Sequence, residues 1–470
     1  MHDVDVAIVG AGPTGLALAG ELRLAGVTCR VLERRTDQPN LTRAFAVHAR
    51  TLELLDARGL ADELVAHGVK VDGVAPTPGA RLDLTTLPSR YPMLLVVPQS
   101  GTEKLLEERA RELGAQIVRG ADVVGLTQEA DGVQLDLADG SAVTAAYVVG
   151  TDGAHSAVRR LVGVDFVGTQ YETHIILADV RLARPPGEIL FGATTPEGLV
   201  LFVPFGDGWF RAIAWDRSRE TIPLSTPVTL DEVRDAFRRI AGDDYGMNSM
   251  RWQTRFLSER RQARHYRVGR VFLAGDAAHV HSPVGGQGMN TGIQDAMNLG
   301  WKLAAAARGR PDFLDSYQAE RHPVGALVLS MTDGAYKLVM SRTRVGMAVR
   351  RLAIRTMLRV GPVRRALAGR LSGIGIRYRR PRGAHRWTGR RLPDVAGTHA
   401  VYEALRAGGF VLAGRNVGHF AGVSTVDADL PCVVLVRPDG YVAWAADRPD
   451  DGVIRAALRQ WCGPVPVPSR

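Results

Sequence analysis

Two glycine-rich loops offer the clearest chemistry in this chain. The first is Gly10-Ala11-Gly12-Pro13-Thr14-Gly15. The second runs from Gly275-Asp276 through Pro283-Val284-Gly285-Gly286-Gln287-Gly288 to Met289 and Asn290. Each follows a short apolar strand and leads into a helix. Such a loop gives an anion free N–H groups and the positive end of a helix dipole, with no side chains in the way. In the first loop the three glycines serve a tight turn, close approach of the backbone to a pyrophosphate, and close helix–strand packing. Glu33 ends the next strand, where a carboxylate accepts hydrogen bonds from a ribose diol.

The elements around these loops follow from the hydrophobic pattern. Residues 4–34 read as one βαβ unit. Val4–Val9 is apolar enough to be buried on both faces. The helix from Thr14 carries Leu16, Leu18, Ala19, Leu22 and Leu24 and stops at Gly26. A second strand covers 27–32. Arg43 precedes a helix at 51–58; its guanidinium either reaches phosphates or a ring edge, or is a surface arginine. Gln99 precedes a helix at 101–113. Strands follow at 116–118, 122–126, 133–137 and 147–150. The last runs into Thr151–Arg160, where Asp152 is the expected N-cap. From 166 to 267 the pattern turns strand-like (174–180, 198–203, 209–215), interrupted by a helix at 230–240. An antiparallel sheet inserted into the α/β domain is expected. It is rich in aromatics, Phe191, Phe202, Phe205, Trp209, Phe210 and Trp215 among them, which serve a sheet core or a pocket for an apolar ring. Helices continue to about Leu371. A small β/α unit closes the chain, thioredoxin-like in element order but without Cys-x-x-Cys.

Composition sets the bounds. The chain has 470 residues, 46% hydrophobic and 23% charged, enough for two or three domains. No apolar run is long enough for a membrane span, and a strand begins too early to leave room for a signal peptide. Cys29, Cys432 and Cys462 are far apart and have no metal spacing, which fits a reduced, cytoplasmic protein with no metal. The net charge of +10 is uneven. From Tyr336 to Arg391 there are many arginines and no acid. That run lacks an aromatic-interleaved binding pattern, so it is read as a solvated basic helical connector. No nucleic-acid or membrane partner is expected, and the chain is expected to be a monomer or homodimer.

Taken together, the first loop with Glu33, TDGAHSAVR at 151–159 and LAGDAAHVHSPVGGQGMNTGIQDAMNLGWKL at 273–303 resemble the single-component (class A) FAD-dependent aromatic hydroxylases. These have the para-hydroxybenzoate hydroxylase fold. The chain is most similar to the branch that tailors aromatic polyketides and inactivates rifampicin. The resemblance implies a Rossmann-like FAD-binding domain at 1–165 plus 268–335, with about 72–98 contributing to a substrate domain at 166–267. It further implies a basic connector at 336–391 and a thioredoxin-like domain at 392–470. The implied activity is NAD(P)H- and O2-dependent hydroxylation of a large phenolic or quinonoid ring through a flavin C4a-hydroperoxide, in antibiotic biosynthesis. Baeyer–Villiger or rifampicin-type oxygenation is the alternative, and a non-catalytic flavin-binding protein a further one.

The resemblance also implies residue roles. Gly10, Gly12, Pro13, Thr14 and Gly15 would cradle the FAD pyrophosphate. Glu33, with Arg34 beside it, would hold the adenosine ribose. Arg43 and Gln99 would contact the phosphate and ribityl groups, and Val124 the adenine end through its backbone. Gly275 and Asp276 would meet the ribityl chain, and Pro283, Gly286, Gly288, Met289 and Asn290 the isoalloxazine. Asp152 and Arg159 would serve both FAD and NAD(P)H. For the substrate, Phe191, Phe202, Pro204, Phe205 and Trp215 are the candidates. No catalytic base is assigned among His48, His279 and His281.

Overall fold

The computed structural model describes residues 2–37, 44–77, 79–339 and 343–463. Apolar, β-branched runs build its central sheet. Val4–Val9 lies between Ala142–Gly150 and Cys29–Glu33 and is parallel to both. Val271–Leu273 continues the sheet on one side and Gln116–Arg119 on the other, also parallel. Three antiparallel strands, Val123–Gln128, Val133–Leu137 and Arg267–Val268, bring the total to eight. A parallel sheet needs covering on both faces. Part of the cover is the helix Pro13–Leu24, whose Leu16, Leu18, Ala19 and Leu22 are fully buried, packed against the helix Gly288–Ala307.

Register decides where the loops meet. Val9 pairs with Leu32 on one side and Gly150 on the other, and Gly150 pairs with Leu273. Four parallel strands therefore end at one edge. The segments that follow them, starting at residues 10, 34, 151 and 274, open there together, which is where open α/β sheets bind ligands.

The second layer is a six-stranded antiparallel sheet. Its order is Phe191–Thr195, Gly198–Pro204, Phe210–Asp216, Phe166–Leu182, Met247–Ala263, His279–Val280. Side chains alternate between its faces. Ile176, Ala178, Val180, Val200, Phe202, Ala212 and Ala214 lie under the helix Leu230–Ala241, against Val233, Phe237 and Ile240. Thr229 caps that helix by accepting from the Glu232 N–H at 3.2 Å, and Gly242 ends it at φ +83°. Leu177 and Ile213 belong to the opposite face, which turns toward a cleft shared with the first layer. Pattern reading of the sequence omits the strand Met247–Ala263, because its polar residues hide the alternation.

The basic run forms the helices Arg344–Arg359 and Gly361–Leu371. Ile354, Leu358 and Ala368 pack with Leu82, Leu84, Leu87, Val203 and Phe205. At the C-terminal end, Ser424–Asp427, Val411–Gly414, Val433–Val436 and Val442–Ala446 form a mixed four-stranded sheet in that order. The helices His399–Leu405 and Asp451–Cys462 accompany it. A buried charge cluster ties this sheet to the rest. Arg437 donates to Glu320 at 2.6 Å and pairs with Asp439, while Lys302 Nζ donates to Glu320 at 2.8 Å. Among the described residues, no helix is long and apolar enough to cross a membrane.

Candidate functional site

The strand-end loops and the open face of the antiparallel sheet enclose a cleft of about 760 Å³. Most of the residues read as cofactor-binding border it, while Gly15, Arg159, Gly275 and Asn290 do not. Gly10, Gly12, Pro13, Thr14, Glu33, Arg34, Gln99, Val124 and Asp152 border it, as do Asp276, Pro283, Gly286, Gly288 and Met289. Arg43 lies outside the described residues.

The first loop has the shape of a cradle. A Cβ on Gly10 (φ +106°) would sit 2.7 Å from the Thr151 carbonyl oxygen, and one on Gly15 would sit 2.1 Å from the Gly10 carbonyl oxygen. These two glycines allow the turn and the helix packing. A Cβ on Gly12 would meet nothing within 4 Å, so Gly12 faces open cleft. Thr14 connects the two loops: its side chain fills the space that a Cβ on Gly275 or Gly292 would need. Glu33 accepts from the Ala11 N–H at 2.8 Å and the Arg35 N–H at 3.1 Å. Gln99 accepts from the Ala44 N–H at 2.9 Å and donates to Glu103 at 2.7 Å. Glu103 also borders the cleft, and burial pushes its carboxyl up to about 7. Sequence reading omitted Glu103; its signal is the four-residue spacing that puts it on one helix face with Gln99.

Beyond the third strand end, Asp152 Oδ2 accepts from the N–H groups of Ala157 and Val158, at 2.6 and 3.1 Å. The N-cap itself is Ser156, not Asp152: Ser156 Oγ accepts from the Arg159 N–H at 2.9 Å. Asp152 Oδ1 is buried without a hydrogen-bond partner, and burial raises the carboxyl above its ordinary range. Arg159 does not border the cleft. Its guanidinium donates to the carbonyls of Ala277 and Ala154, at 2.9 and 2.7 Å, and lies over the Phe166 ring. It braces the turn that carries Asp276.

The second loop is held from behind by Asp295, another residue that sequence reading omitted. Asp295 accepts from the Gly275 N–H at 3.1 Å and from Arg321 at 2.6 Å, and it bonds His279 Nε2 at 2.7 Å. Burial opposes its charge, yet Arg321 and His279 hold the carboxyl below its usual range. Its signal in the sequence is an acid on a helix that is otherwise buried nearly all round. Asn290 also stands behind the loop: it accepts from the His48 N–H and donates to the Ala46 and Gly286 carbonyls, each at 2.8 Å. His48 Nε2 lies 2.9 Å from the Gly285 carbonyl. Burial pushes this imidazole down to about 4, so it is neutral at pH 7. The helix begins at Gly288, and its first N–H groups have no intrahelical acceptor, so Gly288 and Met289 bring donors and a positive dipole end to the cleft.

The substrate candidates need correction. Phe202 stacks on Phe237, and Phe191 packs with Phe202 and Tyr245, on the face under the helix Leu230–Ala241. Pro204, Phe205 and Trp215 do not border the cleft either. Phe205 joins the cluster under the basic helices, and the Trp215 indole donates to Glu220 at 2.8 Å. The sheet side of the cleft is made by Leu177, Ile213, Phe256 and Leu257, with Phe45 and Val280 nearby. Phe191, Phe202 and Pro204 lie one residue out of phase with Ile213 in the paired strands, whereas Trp215 shares the Ile213 face but lies beyond the cleft.

The site fits a flavin dinucleotide. Its length runs from a carboxylate and an arginine (Glu33, Arg34), past a glycine with open space, to an apolar chamber at a helix N-terminus. The orphaned Asp152 Oδ1 is a buried polar atom of the kind a ligand satisfies. Comparisons with known proteins agree. A family model described as an FAD binding domain matches residues 3–332, and one described as the C-terminal part of aromatic-ring hydroxylases matches 385–465. A rifampicin monooxygenase of Streptomyces venezuelae is 42% identical over 482 residues, covering 98% of each chain. The 12-dehydrotetracycline 5-monooxygenase/anhydrotetracycline 6-monooxygenase of Streptomyces rimosus is 40% identical over 502 residues, 98% of this chain and 99% of that one. The solved structure of the OxyS anhydrotetracycline hydroxylase from Streptomyces rimosus is similar at a TM-score of 0.86 and 39% identity, covering 98% of this chain and all of that one. Cradle, chamber and end-to-end likeness lead to one assignment: the chain belongs to the FAD-dependent aromatic-ring hydroxylases and is a flavin-dependent monooxygenase.

Proposed function

We propose that this monooxygenase hydroxylates a large, flat, phenolic or quinonoid ring of polyketide type, with NAD(P)H as electron donor. The observation that carries this reading is the continuity of the cleft: the polar glycine cradle opens without a break into a chamber walled by Leu177, Ile213, Phe256 and Pro283. The chemistry that FAD supplies when bound is activation of O2 with electrons from the nicotinamide. The residues of this chain do the rest. The backbone at Gly12 binds the pyrophosphate, Glu33 and Arg34 the adenosine ribose, and Asp276 the ribityl chain. The N–H groups of Gly288 and Met289 stabilise negative charge at the far end. Apolar side chains from the sheet orient the ring and exclude water. Asn290 and Arg159 act by holding the two loop segments, as their hydrogen bonds support.

The domain reading is part of the proposal: a discontinuous FAD domain (1–165, 268–335), a substrate sheet (166–267), a basic connector (336–391) and a thioredoxin-like end (392–470). The mixed four-stranded sheet with two helices supports the last. Baeyer–Villiger or rifampicin-type oxygenation is the second reading, favoured by the likeness to a rifampicin monooxygenase.

The test is NADPH and NADH oxidation by the purified yellow protein across a panel of anthraquinone- and naphthacene-type phenols. Substrate-stimulated oxidation with a product one oxygen heavier is expected, and nuclear magnetic resonance then separates ring hydroxylation from ring insertion. Oxidation that no member of the panel stimulates would sink the substrate class.

A further inference from the structure

The positive charge of this protein has one source. Between Tyr336 and Arg391 stand sixteen arginines and one lysine with no acidic residue, so a run that contributes +17 sits in a chain of net +10, leaving −7 elsewhere. The sequence alone reads there as a solvated connector. A solvated helix, however, turns mainly polar residues outward, whereas the helix Arg344–Arg359 turns aliphatic residues outward beside its arginines. Its inner side buries Met347, Ile354 and Leu358. Its outer side exposes Val345 by 74%, Val349 by 62% and Leu352 by 68%, and Val360 just beyond its end by 47%. At 100° per residue these four fall within one arc opposite the buried side. Arg355 and Arg359 are exposed on one flank of that arc, Arg351 is exposed closer to the buried side, and Arg364 and Arg365 follow on the next helix. Among the described residues, none of these five arginines has an ion pair within 4.0 Å.

We propose that this outer face docks on an anionic phospholipid bilayer, with the helix lying in the interface rather than crossing it. Aliphatic residues flanked by arginine on a surface helix are what such an interface binds. A second copy is disfavoured, since pairing the same face would bring two sets of arginines together with no acid between them. A nucleic acid would use the arginines but leave the aliphatic arc in water. The face is also connected to the catalytic cleft. The second basic helix ends at Leu371, whose carbonyl accepts from Gln287 at 2.9 Å, and Gln287 borders the cleft. An apolar substrate dissolved in the bilayer would thus meet the enzyme near the chamber.

The test is sedimentation of the FAD-loaded protein with vesicles of phosphatidylcholine alone or with one third phosphatidylglycerol, at low and physiological salt. Binding to the anionic vesicles alone is expected, weakened by salt. Arg355→Ala should weaken it by roughly fivefold, and the double variant Val349→Asp/Leu352→Asp by tenfold or more. Both leave activity on soluble substrate unchanged, because Val349 and Leu352 are exposed and Arg355, which lies over Gly79, is outside the cleft. Three results would overturn the proposal. One is no binding to anionic vesicles at low salt. Another is binding that the double aspartate variant leaves intact, which would mean charge alone acts, as for a polyanion. The last is concentration-dependent dimerisation in light scattering that this variant abolishes while vesicle binding is absent, which assigns the face to a second copy.

Discussion

Gly12→Ala separates ligand binding from folding more cleanly than any other change in the cradle. Gly12 has φ −78° and ψ 178°, a conformation open to any residue, and its added methyl would meet no protein atom within 4 Å. The fold therefore tolerates it, and loss of chain entropy in the unfolded state stabilises the apoprotein by about 0.4–1 kcal/mol. In the proposed binding mode the same methyl enters the space of the pyrophosphate. Losing one charge-assisted N–H contact there costs about 1.5–3 kcal/mol, or roughly 10- to 150-fold in FAD affinity. Gly15→Ala is the counterpart. Its methyl would lie 2.1 Å from the Gly10 carbonyl oxygen and 2.6 Å from Thr151 Oγ1, so the apoprotein itself loses about 1–3 kcal/mol. The assay pairs flavin-fluorescence titration of apoprotein with thermal unfolding of apoprotein, for both variants. FAD affinity in Gly12→Ala equal to the wild type would refute the reasoning, as would an apoprotein destabilised as much as Gly15→Ala.

Other predictions follow from single contacts. Glu103 has its carboxyl raised from 4.5 to about 7 by burial, so the folded apoprotein holds a proton that the unfolded chain releases. Stability should fall as pH rises from about 4.5 through about 7, and Glu103→Gln should remove that slope. Above pH 7 the variant gains on the order of 1–3 kcal/mol over wild type in denaturant titrations, and equal stability there would contradict the buried-carboxyl assignment. Phe202→Leu should cost about 1–2 kcal/mol in thermal unfolding with the substrate KM unchanged, whereas Ile213→Phe should raise KM by narrowing the chamber. Arg437→Leu leaves Asp439 without its buried guanidinium and Glu320 with Lys302 as its remaining cation, and should destabilise the protein by about 3–5 kcal/mol in chemical denaturation.

How much of this was legible in the sequence depends on the range over which each feature is encoded. The glycine loops were readable because turn, dipole and backbone approach are local properties of six to ten residues. Glu33 was readable because a strand end follows a βαβ unit at a near-fixed distance. The antiparallel sheet was legible as strands but not as faces. Phe202 and Ile213 lie in adjacent strands with similar apolar patterns, and only the helix Leu230–Ala241 decides which one is covered. The strand Met247–Ala263 is not legible because arginine, glutamine and glutamate alternate with its Trp252 and Phe256, and because its pairing with Phe166–Leu182 shifts register in three places. The edge strand Ser424–Asp427 was too short and polar to stand out. Asn290 and Arg159 belong to the motifs, but their hydrogen-bond partners lie up to 244 residues away, and no local pattern carries that information. The exposed face of Arg344–Arg359 shows the same limit: the arginines were visible in the sequence, while the direction of the valines was not.

The central claim is that one cleft holds flavin at the cradle and an aromatic ring at the chamber, so that an atom of O2 is placed on that ring. Isotopically labelled dioxygen tests it most directly. Turnover of an accepted polyketide-type phenol with NADPH under labelled O2 should give a product carrying one labelled oxygen per nicotinamide oxidised, in the wild type and not in an Ile213→Trp variant that still binds FAD. A product whose new oxygen comes from water, or no labelled product while flavin is bound and reduced, would contradict the account.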